Sequence, residues 1–163
     1  MLKRKIDKYL EEWKASADKK PLIVKGARQV GKTASIRYFG EKYYKYIVEI
    51  NFALQPKYKQ IFADGYEVDS IIKNITLLNP SLVVVPHETL LFFDELQEYP
   101  DCATSLKSFK QDGRYDVICS GSLMGLYYQQ IESNSVGYKT DYEMYSLDFE
   151  EFLWAKGYDE HFI

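Results

Sequence analysis

Eight residues near the start of the chain could hold phosphate. Gly26-Ala27-Arg28-Gln29-Val30-Gly31-Lys32-Thr33 has the spacing G-x-x-x-x-G-K-[ST]. Glycines permit a tight loop whose N–H groups turn inward, and a helix starting at its end adds a positive N-terminal dipole, so such a loop can wrap the phosphates of a nucleotide. Lys32 would reach the β and γ phosphates. The Thr33 hydroxyl would be a ligand for Mg²⁺, which takes oxygen ligands and keeps several waters. The competing reading, an ordinary glycine-containing turn, loses ground because the segment sits between an apolar run and an amphipathic one.

Two acids form the second group. Leu90-Leu91-Phe92-Phe93-Asp94-Glu95 is an apolar strand that delivers carboxylates to its C-terminal end, where ligands bind in open α/β sheets. Asp94 is expected to hold magnesium through water. Glu95, directly after it, can orient and polarise an attacking water. A third group, Ser120-Gly121-Ser122, follows the apolar run Val117-Ile118-Cys119. Ser120 would lie beside a γ-phosphate if that strand runs between the other two; a small polar loop with a helix cap is the alternative. Gln97, Tyr99 and Asp101, just past the acids, are candidates for contact with a second substrate or a neighbour by proximity alone.

The elements that must position these groups follow from periodicity. Ile6, Leu10 and Trp13 recur at helical spacing over residues 3–13, and residues 21–25 form an apolar run with β-branched residues, followed by Gly26. A helix over 32–42 and a strand over 46–50 complete a βαβ beginning. Val68, Ile71, Ile72, Ile75 and Leu78 mark one helical face. The run 89–93 is apolar on both sides, as for a central strand covered by helices on both faces. A helix over 104–111, strands over 115–119 and 142–147, and a polar segment over 129–140 follow. Asp148 opens a last helix, with Glu151 at the reciprocal capping position and Gly157 as its stop.

Composition bounds the rest. The chain has 163 residues, 46% hydrophobic and 28% charged, which fits one folded domain and excludes disordered, collagen-like and disulfide-scaffold classes. With 21 basic and 24 acidic residues the formal charge is −3, so a dedicated nucleic-acid or membrane surface is not indicated. Cys102 and Cys119, with two histidines, lack the spacing of a structural zinc site. No run has the length of a membrane span, and with no export signal the cytoplasm is the expected compartment. The 15 tyrosines are expected to pack with their hydroxyls at the rim, in preference to stacking on bases.

Taken together, GARQVGKT, LLFFDELQ, ICSGSLMG and YSLDFEEFLWAKG resemble the predicted ATPases of the AAA-like superfamily, the group whose ATPase core usually precedes an uncharacterised C-terminal domain. The resemblance spans nearly the whole chain. It implies a P-loop NTPase fold of the additional-strand catalytic-glutamate type, an α/β/α sandwich around a mostly parallel sheet of about five strands. It implies an extra strand between the loop strand and the acid strand, ATP and Mg²⁺ as ligands, and Ser120 as the residue that senses the γ-phosphate. Ser146 stands where such proteins have proline. No arginine follows Arg114, although relatives often carry one near Gly137-Tyr138-Lys139.

The expected function is therefore ATP binding and Mg²⁺-dependent hydrolysis by a core domain spanning residues 1–163. Its N-terminal helix is expected at about 3–16, and a C-terminal domain beyond the chain. The phosphate ligands would be residues 26–33; Thr33 and Asp94 would hold metal; Glu95, Lys32 and Ser120 would be catalytic. The missing arginine would come from that domain or from a partner, so the chain alone should hydrolyse slowly. A nucleotide-gated switch that binds ATP and barely hydrolyses it is the main alternative. A small-molecule kinase is a weaker one, since the Asp94-Glu95 pair favours water as the acceptor.

Overall fold

A computed structural model describes residues 4–27, 30–122, 126–145 and 149–157. Five strands form one sheet in the order β2-β3-β4-β1-β5: β1 (Leu22–Lys25), β2 (Tyr46–Asn51), β3 (Thr89–Asp94), β4 (Asp116–Gly121) and β5 (Thr140–Glu143). Every pairing is parallel. The strand β4 separates β1 from β3, as the resemblance implied.

Strand alternation divides the core in two. On one face Leu22, Val24, Leu90, Phe92 and Ile118 meet α1 (Lys5–Ala15) and α2 (Lys32–Tyr43) through Ile6, Leu10, Trp13, Ile36 and Phe39. On the other face Ile23, Val48, Ile50, Leu91, Phe93, Val117 and Cys119 meet α3 (Val68–Leu78), α4 (Leu106–Asp112) and α5 (Leu126–Ser135). Phe92 and Phe93 are both fully buried, one on each face. Burying each contributes roughly 1.5–3 kcal/mol, so β3 is anchored from both faces of the sheet.

Three elements differ from the sequence expectation. The segment 129–140 is helix α5 over most of its length. Strand β5 begins at Thr140 and ends at Glu143, earlier than the expected 142–147, because the register Leu22↔Thr140 to Lys25↔Glu143 aligns it with β1. The helix expected from 104 starts as a 3-10 segment, Pro100–Ser105, which leads into α4. The helix α6 (Phe149–Ala155) is present, and Gly157, at φ +100°, follows it with its N–H on Trp154 O at 3.1 Å. The expected cap Asp148 lies outside the described residues.

Candidate functional site

The C-terminal ends of β1, β3 and β4 bring the three groups together. Gly31 takes φ +96° at the start of α2, a left-handed conformation that side chains with a Cβ rarely adopt. The first turn of α2 has no acidic residue, which leaves its positive end available to an anion. A Cβ on Gly26 would meet Met144 O at 2.3 Å, so the chain leaving β5 sits directly on the first glycine of the loop. Arg28 and Gln29 lie outside the described residues.

Lys32 is 8% exposed, and its Nζ donates to Gly26 O at 2.9 Å and Ala27 O at 2.6 Å. Burial lowers its pKa below the ordinary lysine value, against the opposing pull of the Glu95 and Asp94 carboxylates. Asp94 is 2% exposed and organises the centre. Its Oδ2 accepts from Thr33 Oγ1 at 2.8 Å; its Oδ1 accepts from Ser120 Oγ at 2.6 Å and from the Glu95 N–H at 2.8 Å. Glu95 itself is in the left-handed region, φ 57°, and its carboxylate accepts from Gln97 Nε2. The Lys32, Thr33, Asp94, Glu95 and Ser120 of the sequence reading thus converge.

Beside them opens a cleft of about 550 Å³, whose lining includes Lys32, Thr33, Asn51, Leu54, Glu95 and Ser122. This volume falls within the range of small-ligand and cofactor sites. Among the described residues no cluster of three or more His, Cys, Asp or Glu could hold a metal by itself. Thr33 Oγ1, on the cleft wall, and the buried Asp94 carboxylate behind it are nonetheless oxygen ligands 2.8 Å apart, a set that fits a magnesium ion completed by phosphate and water.

One residue beside the site, Arg4, carries no signal in the sequence, and another, Gln97, plays a different part from the one expected. Arg4, ahead of α1, sends Nη1 to Val30 O at 2.9 Å, Nη2 to Tyr145 O at 2.8 Å and Nε to Glu151 Oε2 at 2.8 Å. The Glu151 carboxylate also accepts from the Lys5 N–H, which opens α1. No local pattern announces a contact between residues 4 and 151. The sequence makes Gln97, Tyr99 and Asp101 candidates for contact with a second substrate or a neighbour. The Gln97 amide instead turns inward, Tyr99 packs its ring against Phe52 and Phe62, and Asp101 accepts weakly from Gln130 at 3.5 Å. Among the described arginines, Arg37 pairs with Glu49, Arg114 with Asp112 and Asp69, and Arg4 with Glu151; none lines the cleft.

A parallel sheet with β4 inserted between the loop strand and the acid strand defines a P-loop α/β domain of the AAA-like class. Residues 18–153 match the family described as AAA domain, and the chain belongs to that family. No curated protein matches it in sequence. In fold it is similar to a chain in the structure of Drosophila ORC bound to DNA, with TM-score 0.54 and 14% identity over 85% of this chain and 41% of that one. It is also similar to the Aeropyrum pernix ORC1 protein in complex with DNA, with TM-score 0.51 and 12% identity over 85% of this chain and 43% of that one. The chain spans less than half the length of either. No helix among the described residues is long and apolar enough to cross a membrane.

Proposed function

We propose that this chain binds ATP with magnesium and hydrolyses its β–γ bond. The observation that carries the reading is the Asp94 carboxylate, held by Thr33 from the loop helix and by Ser120 from β4, with Glu95 adjoining. The loop amides and the α2 dipole bind the phosphates. Lys32 exchanges the Gly26 and Ala27 carbonyls for β and γ oxygens. Thr33 and Asp94 would hold magnesium, which supplies positive charge to those oxygens when bound. Glu95 takes a proton from water as its oxygen attacks the γ-phosphorus and ADP leaves; Ser120 donates toward the γ-phosphate. Positioning and electrostatics supply the catalysis. The two buried free thiols, Cys102 and Cys119, suit a reducing cytoplasm.

The second reading, a nucleotide-gated switch, is favoured by one observation: among the described arginines, Arg4, Arg37 and Arg114 are each paired with a carboxylate, and none lines the cleft. An arginine supplied to the γ-phosphate accelerates related reactions by about 10³–10⁵-fold, so on this reading the chain alone would turn over slowly until a further domain or a partner supplied one. One titration series addresses both readings. ATP, ADP and GTP are titrated with and without magnesium, and turnover is measured for wild type and Glu95→Gln. Magnesium-dependent ATP binding with turnover lowered by roughly 10² or more in Glu95→Gln is expected. Binding that ignores magnesium, or turnover indifferent to Glu95, would sink the hydrolytic assignment.

A further inference from the structure

Gln97 has no part in the hydrolysis proposed above, yet its side chain spans the acid pair and the end of β4. Its Nε2 donates to Glu95 Oε2, and its Oε1 accepts from the Ser122 N–H at 3.2 Å. A carboxylate only accepts and a backbone N–H only donates, so the residue between them must offer one donor and one acceptor on a single planar head. A primary amide does this. Glutamate at the same position would lose the donor and set a second negative charge against Glu95.

Glu95 also needs to be held. Its backbone, at φ 57° and ψ 49°, is in a region that non-glycine residues occupy only where the surroundings fix them. Asp94 Oδ1 secures its N–H, and Gln97 secures its carboxylate. Ser122, at the other end of the Gln97 amide, lies two residues beyond Ser120, whose hydroxyl is on that same Asp94 oxygen. The contacts therefore close a ring through Asp94, Glu95, Gln97 and the turn after β4.

We infer that Gln97 is a positioning residue that sets the direction of the Glu95 carboxylate according to the position of the turn at residues 120–122. The turn that meets the γ-phosphate thereby steers the group that meets the water, and a shift of Ser122 by one hydrogen-bond length releases or retains Glu95. This rests on the ATPase reading above.

The test is single-turnover ATP hydrolysis with protein in excess, with ATP affinity titrated in parallel. It compares wild type, Gln97→Ala, Gln97→Glu, Glu95→Gln and the double variant Glu95→Gln/Gln97→Ala. Gln97→Ala should lower the rate constant about tenfold or more with ATP affinity within about twofold, and Gln97→Glu at least as far. The double variant should be no slower than Glu95→Gln, because the amide acts only through that carboxylate. An unchanged rate in Gln97→Ala overturns the inference and leaves the ATPase reading standing. An equal loss in both backgrounds also overturns it, since general loosening does not depend on Glu95. Wild type that binds no ATP, or turns none over, removes the ATPase reading and this one with it. Should Gln97→Ala fail to fold, Gln97→Met keeps the stem, removes both polar ends and gives the same comparison.

Discussion

Lys32 combines two conditions that pull against each other. Burial favours its neutral form, while the phosphates it is proposed to bind favour the charged one. Its pKa in the free protein is therefore below the ordinary lysine value, and bound phosphate should raise it. The sign follows. Nucleotide affinity should be constant below the depressed free-protein pKa, fall as pH rises through it, and level off above the pKa of the complex, with protons taken up on binding between the two. Calorimetric titration of ATP in alkaline buffers of different ionisation enthalpy measures that uptake directly. Lys32→Ala should abolish both the uptake and most of the affinity. Affinity that rises with pH across this window would be incompatible with an ammonium–phosphate contact.

Between elements, the decisive joint is Arg4. One guanidinium ties the start of α1 to the phosphate loop at Val30, to the chain after β5 at Tyr145 and to α6 at Glu151. The side chains of Arg4 and Glu151 are 11% and 6% exposed. Removing one partner of so buried a pair costs about 3–5 kcal/mol, whereas the more exposed Arg37–Glu49 pair is worth about 1 kcal/mol or less. Arg4→Ala should therefore destabilise the fold several times more than Arg37→Ala in chemical denaturation, and should weaken nucleotide binding as well. Equal effects would mean that the joint carries no special weight. The strands β1 to β4 were legible because each is an apolar run, and the loop and acid pair because their spacing is short-range. Helix α5 was not, since Tyr-Tyr-Gln-Gln-Ile-Glu-Ser-Asn-Ser over residues 127–135 shows little helical periodicity, and buried Ser135 hides its need for a partner by donating to Ile131 O. Strand β5 is a half-exposed edge whose residues Thr140-Asp141-Tyr142-Glu143 are mostly polar, so it carries a weaker strand signal than the more apolar stretch after it. Arg4 and Gln97 act through contacts that only the folded chain creates.

At the scale of the whole molecule, the strand order has a meaning in time. β1 is made early, but both of its neighbours are late: Leu22 pairs with Ile118 on one side and Thr140 on the other. At a synthesis rate of about 5–20 residues per second, β1 and the phosphate loop after it wait on the order of ten seconds for the strands that enclose them. In that interval the sheet can hold only β2 and β3, which pair with each other through Tyr46↔Thr89 to Asn51↔Asp94. Nascent chains arrested before residue 116 should be cut readily by protease within residues 20–34, and chains arrested after β5 has cleared the ribosome should resist. Early protection of that segment would show that the loop is ordered without its sheet. The loop proposed to hold phosphate, though it precedes four of the five strands, is thus enclosed only once β4 and β5 have followed it.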